Sequence, residues 1–211
     1  MSKTPLTDGN KNNHWIDYLG VKALRASHPG VRRLKRQQRG HNRAHGNKVW
    51  RSSFVLMDYL TTYPPSANAK VLDIGCGWGL TSIFLAKHHN AQVTGVDIDS
   101  SVAPYLSLQA DINNCKINFQ QRSFESFKTA ELASYDYLIG ADICFWDEMT
   151  QPLFDLIDRA RESCVGGIFI ADPGRPPFWK LAEQCTNHFD IEIVSRRINQ
   201  PFKTEKYILS I

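Results

Sequence analysis

Val71-Leu72-Asp73-Ile74-Gly75-Cys76-Gly77-Trp78-Gly79-Leu80 decides how this 211-residue chain is read. Its first residues form a short β-prone stretch, three alternate glycines make a tight turn, and Leu80 to His88 continues with a helix-like pattern. A second strand, Gln92 to Val96, then delivers Asp97, 18 residues beyond Gly79, to the same edge. Strand, glycine turn, helix, strand and acid make the first half of a nucleotide-binding α/β unit.

Glycine spacing bears on which nucleotide. A dinucleotide site uses GxGxxG, whose third glycine lets the helix pack close while its N-terminus faces a pyrophosphate. Here Leu80 stands at that position, so the dinucleotide reading weakens. Glycines at 75, 77 and 79 instead let the backbone approach a compact, phosphate-free group, and this spacing resembles motif I of the class I S-adenosylmethionine (SAM) methyltransferases. The resemblance implies SAM as cofactor, with Asp73, Gly75, Cys76 and Gly77 around it and Asp97 on the ribose hydroxyls.

The rest of the chain alternates in the same manner. Strands are expected at Lys70 to Ile74, Gln92 to Val96, Ile117 to Gln121, Asp136 to Gly140, Gly167 to Ala171, Ile191 to Ser195 and Lys206 to Ile211. Helical patterns lie near 79–89, 101–113, 147–162 and 177–187. The expected fold is α/β, a Rossmann-like doubly wound sheet of seven strands. Only Arg196 to Thr204, with Pro201, separates the last two strands, so they read as an antiparallel hairpin. Upstream, Ser52 to Thr61 reads as a helix ended by Pro64-Pro65, and Trp15 to Ala26 as a short helix broken at His28-Pro29-Gly30. Val31 to Lys48 is expected to hold one helix turn or two at most. These patterns place a basic, partly flexible extension at 1–48 before a catalytic domain at 49–211.

Charge is distributed unevenly. Tyr18 to Met57 holds no acid but ten Lys or Arg, and the remaining 15 basic residues face 21 acidic ones, a balance of −6. Such an arm docks on its own acidic body, stays solvated, or steers an acidic protein or nucleic acid. No stretch approaches a membrane span and the polar N-terminus lacks a signal-peptide core, so a cytoplasmic monomer is expected. Five scattered cysteines without CxxC spacing indicate neither a disulfide framework nor a metal site.

In such a sheet the chemistry lies beyond the strand ends. After the third strand, Ser123 and Phe124 stand where an adenine would be hydrogen-bonded and flanked. After the fourth come Asp142, Phe145 and Trp146. Asp142 faces the position of the methyl group and suits an amine acceptor, the two aromatics offering π faces to a cation; its alternative use is to cap the following helix. After the fifth strand, Asp172-Pro173-Gly174-Arg175-Pro176-Pro177 makes a stiff loop, with Arg175 placed to engage an anion or a carboxylate such as Asp142.

Trp50-Arg51-Ser52-Ser53, VLDIGCGWG, GADICFWDE and ADPGRPPF together resemble the seven-β-strand protein lysine methyltransferases, especially the branch that modifies the β subunit of electron-transfer flavoprotein. The resemblance covers roughly residues 48 to 185. It implies that Trp50 lies near the cofactor, that Asp142 is the acid of the family's DxxY motif, and that Phe145 takes the tyrosine position without its hydroxyl. Asp142 and Phe145 are thus the expected catalytic pair, Asp142 also lying against the cofactor, with Trp146 and Arg175 contacting substrate.

Three function classes follow from these residues. The first is a SAM-dependent N-methyltransferase acting on a protein lysine. The second is an N-methyltransferase for a small amine or a nicotinamide-type acceptor. The third is a nucleic-acid-binding protein that uses the basic arm, although the arm's few interleaved aromatics suit phosphate contact better than base stacking.

Overall fold

The computed structural model describes residues 14–38 and 48–211. In chain order the strands are β1 (Trp15–Tyr18), β2 (Val21–Leu24), β3 (Lys70–Ile74), β4 (Gln92–Asp97), β5 (Asn118–Gln121), β6 (Tyr137–Ala141), β7 (Gly167–Asp172), β8 (Glu192–Ile198) and β9 (Thr204–Ser210). The helices are α1 (Pro29–Gln37), α2 (Arg51–Thr62), α3 (Leu80–His89), α4 (Ala103–Ile112), α5 (Thr129–Leu132), α6 (Thr150–Glu162) and α7 (Pro176–Thr186).

Seven strands form one sheet in the order β5-β4-β3-β6-β7-β9-β8. Pairing is parallel from β5 through to β7, and β9 runs antiparallel to both of its neighbours, β7 and β8. This is the expected Rossmann-like α/β sheet with a C-terminal hairpin. Alternation along β3 sends Val71 into the apolar cluster with Phe54 and Ile83, and Leu72 into the cluster with Leu153 and Phe178 on the opposite face. Burial on both faces explains why the strand reads as a nearly continuous apolar run.

The strand order reverses between β3 and β6. Chain leaving β3 moves toward β4 and β5, while β6 returns on the other side and leads to β7. A crevice opens beyond the strand ends at such a switch point. Parallel register sets its contents: Ile74 is level with Val96, so Gly75 emerges beside Asp97, and Ala141 is level with Ala171, so Asp142 emerges beside Asp172.

The N-terminal region differs from its sequence reading. Trp15 to Ala26 is not a helix but the β1–β2 hairpin, turned at Leu19 and Gly20, both with positive φ. Tertiary hydrogen bonds outweigh the helical spacing of its apolar residues. The Lys22 and Leu24 amides donate to the side chains of Asn113 (2.8 Å) and Gln109 (2.9 Å), and Lys87 Nζ donates to the Gly20 carbonyl at 2.7 Å. His28-Pro29-Gly30 begins a helix rather than ending one. His28 Nδ1 accepts from the Gly30 amide, Pro29 occupies the first turn, and α1 then runs for nine residues, of which 31–37 make about two turns, in keeping with the expectation for the described part of that stretch. Val21 and Val31 are fully buried, so this part of the arm is packed on the body. Expectations for residues 1–13 and 39–47 lie outside the described residues.

Candidate active site

The glycine turn is held from both sides. Gly75 and Gly77 have φ of 62° and 53°, a left-handed conformation that glycine adopts at little steric cost. A Cβ on Gly75 would come within 2.5 Å of Ile143, whereas one on Gly77 would meet no atom within 4 Å. Gly77 therefore presents bare backbone to open space. Asp97 ties the turn to β4: one carboxylate oxygen accepts from the Gly77 amide at 3.0 Å and the other from the Asp99 amide at 2.9 Å. Burial raises its pKa, opposed by these two hydrogen bonds. Two of the roughly four acceptor positions of a carboxylate are thereby used, leaving capacity for a ligand hydroxyl.

Asp73 lies beneath the turn and Cys76 within it. Asp73, 4% exposed, accepts from Ser82 Oγ at 2.5 Å and so fastens α3 to β3. Burial pushes its carboxyl up to about 7, with the Ser82 hydrogen bond opposing and the nearby Asp97 charge adding to the rise. The Cys76 amide donates to the Val96 carbonyl, and burial raises its thiol pKa well above the ordinary value. Trp78 stacks on Tyr105 at 4.7 Å, in an apolar cluster with Leu24 and Val31 of the arm.

Across the switch point, Asp142 is 5% exposed and has φ of 58°. One of its oxygens accepts from Arg175 at 2.9 Å and the other from the Ser52 amide at 3.0 Å. Asp142 thus caps a helix, but the helix is α2, not the one that follows it in sequence. Arg175 also reaches fully buried Asp172 at 2.6 Å, while Asp172 accepts from the Gly174 and Arg175 amides. One guanidinium bridges two buried carboxylates; at Asp172 its charge opposes the rise in pKa that burial causes. Its central carbon lies 4.2 Å from the Phe145 ring centroid, and Phe145 meets Trp50 edge to face at 5.2 Å. Lys48 stands over the Trp50 ring at 4.0 Å.

A cavity of about 310 Å³ opens here, lined by Trp50, Asp142, Pro173, Arg175 and the cations Lys48, Arg51 and Lys206. Trp50, Asp142 and Arg175 are therefore brought together, with Phe145 packed behind them. Trp146 is half exposed beside Phe145. Ser123 sits apart from this cavity, its hydroxyl donating to Glu125 at 2.8 Å, and Phe124 packs partly into the core.

Two features escape the sequence reading. Ile98, 68% exposed, offers an apolar surface immediately after Asp97; its signal is an isolated apolar residue between two acids. Lys206 reaches the Asp142 cavity from β9, and only the sheet order reveals that proximity.

Residues 71–162 match a family model described as a methyltransferase domain. Over this stretch the chain is similar to a methyltransferase domain. Ubiquinone biosynthesis O-methyltransferase of Xanthomonas oryzae pv. oryzae is 30% identical over 124 residues, 58% of this chain and 51% of that protein. Electron transfer flavoprotein beta subunit lysine methyltransferase of Xenopus laevis is 28% identical over 131 residues, 61% of this chain and 52% of that protein. The chain spans about half the length of these curated relatives. A solved precorrin-6y C5,15-methyltransferase from Geobacter metallireducens has the same fold, with a TM-score of 0.58 at 13% identity over 75% of this chain and 85% of that one.

The methyltransferase domain implies SAM, and the residues at the turn fit it. The open side of Gly77 is a cradle that a side chain would fill, and Asp97 retains acceptor positions for ribose hydroxyls. Among the described residues no helix is long and apolar enough to cross a membrane.

Proposed function

We propose that this chain is a SAM-dependent N-methyltransferase acting on a protein lysine. Gly75 and Gly77 would receive the methionine part of the cofactor, Asp97 the ribose, and Ile98 and Phe124 the faces of the adenine. SAM, when bound, supplies an electrophilic methyl group. The observation that carries the amine reading is the Trp50–Phe145 pair beside buried Asp142, where both rings already hold cations, Lys48 and Arg175. Ring faces that hold the chain's own cations have the chemistry to receive a lysine.

An attacking amine needs a free lone pair, and a lysine ammonium has an ordinary pKa of about 10.4. Cations around the cavity disfavour a further positive charge, so the acceptor loses its proton more readily there. Asp142, with acceptor capacity left after Arg175 and Ser52, orients the amine. Cavity volume supports a side chain as occupant: about 310 Å³ lies at the small end of ligand pockets, which run from ~300 to 1,000 Å³.

A second reading, an oxygen acceptor, draws on the same cationic lining, which would also stabilise a phenolate. Labelling a lysate with methyl-tritiated SAM, followed by separation into protein, RNA and small-molecule fractions, distinguishes the two. Label on protein lysine that falls at least about tenfold with Asp142→Asn is expected. Label confined to small molecules would refute the lysine reading.

A further inference from the structure

A second cavity, about 320 Å³, lies between the β1–β2 hairpin and the body, with Arg25, Lys48 and Arg51 among its lining residues. It shares Lys48, Val49 and Arg51 with the Asp142 cavity, so the two are continuous along one wall. Arg25, Lys48, Arg51, Arg175 and Lys206 are therefore all lining residues of two adjoining cavities, which together make one basic track. Among the described residues, Asp142 is the only acid in either lining, and Arg175 already pairs with it. Among the same residues, Arg25, Lys48, Arg51 and Lys206 have no carboxylate in ion-pair contact. The chain outside 18–57 has a balance of −6, which makes this concentration of positive charge a local exception.

The form of the track distinguishes between anionic partners. Lys48 covers Trp50 at 4.0 Å, Arg51 covers Phe202 at 4.7 Å and Arg175 covers Phe145 at 4.2 Å. Single-stranded nucleic acid is bound through successive exposed ring faces on which bases stack, whereas Phe54 and Trp78 in this lining are buried and Phe202 lies under Arg51. Apolar walls from Ile16, Leu24 and Phe54 suit the side chains of a peptide.

We propose that the methyl acceptor is a protein segment rich in Asp and Glu, which lies along this track and places its lysine in the Asp142 cavity. The inference rests on the lysine reading above and adds the charge of the flanking residues.

Fluorescence anisotropy tests it with labelled heptapeptides whose central lysine is flanked by glutamates, serines or arginines, in the presence of S-adenosylhomocysteine. The glutamate peptide should bind about tenfold tighter than the serine peptide at low salt, with the advantage shrinking as salt is raised. Arg25→Glu and Lys206→Glu should each weaken the glutamate peptide about three- to tenfold, with thermal midpoints recorded to confirm folding. Equal binding of the glutamate and serine peptides would overturn the proposal, as would tighter binding of a short single-stranded RNA near physiological salt. Binding is read independently of turnover. Tight binding without transfer to any lysine would count against the lysine reading, whereas equal transfer to the serine peptide would count against the acidic track.

Discussion

Replacing Arg175 with Met keeps much of the side chain's length and removes the charge that joins Asp142 to Asp172. Both acids are nearly or fully buried, and the Arg175 side chain is itself only 21% exposed. Removing one partner of a buried ion pair costs about 3–5 kcal/mol, because an uncompensated charge remains inside. With a urea m-value of ~2–3 kcal/mol/M, the midpoint should fall by about 1–2.5 M. The loss should also depend on pH. Burial already raises the pKa of Asp172, with Arg175 opposing that rise, so removing the guanidinium raises it further. An acid whose folded pKa lies above its unfolded value of about 3.9 costs stability as pH rises through that interval. The Arg175→Met penalty should therefore be greater at pH 8 than at pH 5, and adding Asp172→Asn should recover part of it. A loss below about 1 kcal/mol, equal at both pH values, would refute this account of the bridge.

Gly77→Ala places a methyl group in the open cradle and imposes a left-handed conformation on alanine, at a cost of about 1–2 kcal/mol. SAM affinity should fall about tenfold or more by calorimetry while urea unfolding remains cooperative; unchanged affinity would mean that the cradle faces elsewhere. Asp73→Asn tests a carboxyl pushed up to about 7. Since the folded state holds that proton more tightly than the unfolded chain, wild-type stability should decline between about pH 4 and 7, and the variant should lose this slope. Parallel urea profiles for the two proteins across that range would contradict the assignment.

The sheet is legible in the sequence because its strands are bounded by turn residues and fill one or both faces with apolar side chains. Val71 to Ile74 and Gly167 to Ala171 are examples. The arm is less legible: Trp15, Tyr18 and Leu19 fit helical spacing, and the hydrogen bonds from Gln109 and Asn113 that hold β2 come from residues some 85–91 positions away. At the candidate site, the ends of the strands and the segments after them single out Asp97, Asp142 and Arg175. The cap that Asp142 provides to α2 cannot be read locally, because Ser52 precedes it by 90 residues. Lys206 is hidden for a similar reason, since β9 is inserted between β7 and β8 only in the folded sheet.

A SAM site formed by the turn at 75–79 with Asp97 underlies every role proposed above. Calorimetric titration of the purified chain with SAM and, separately, with NAD tests this directly. One site for SAM, weakened about tenfold or more by Asp97→Ala, and no heat with NAD is the result the geometry predicts. No binding of SAM, or equal affinity in the Asp97→Ala protein, would contradict it.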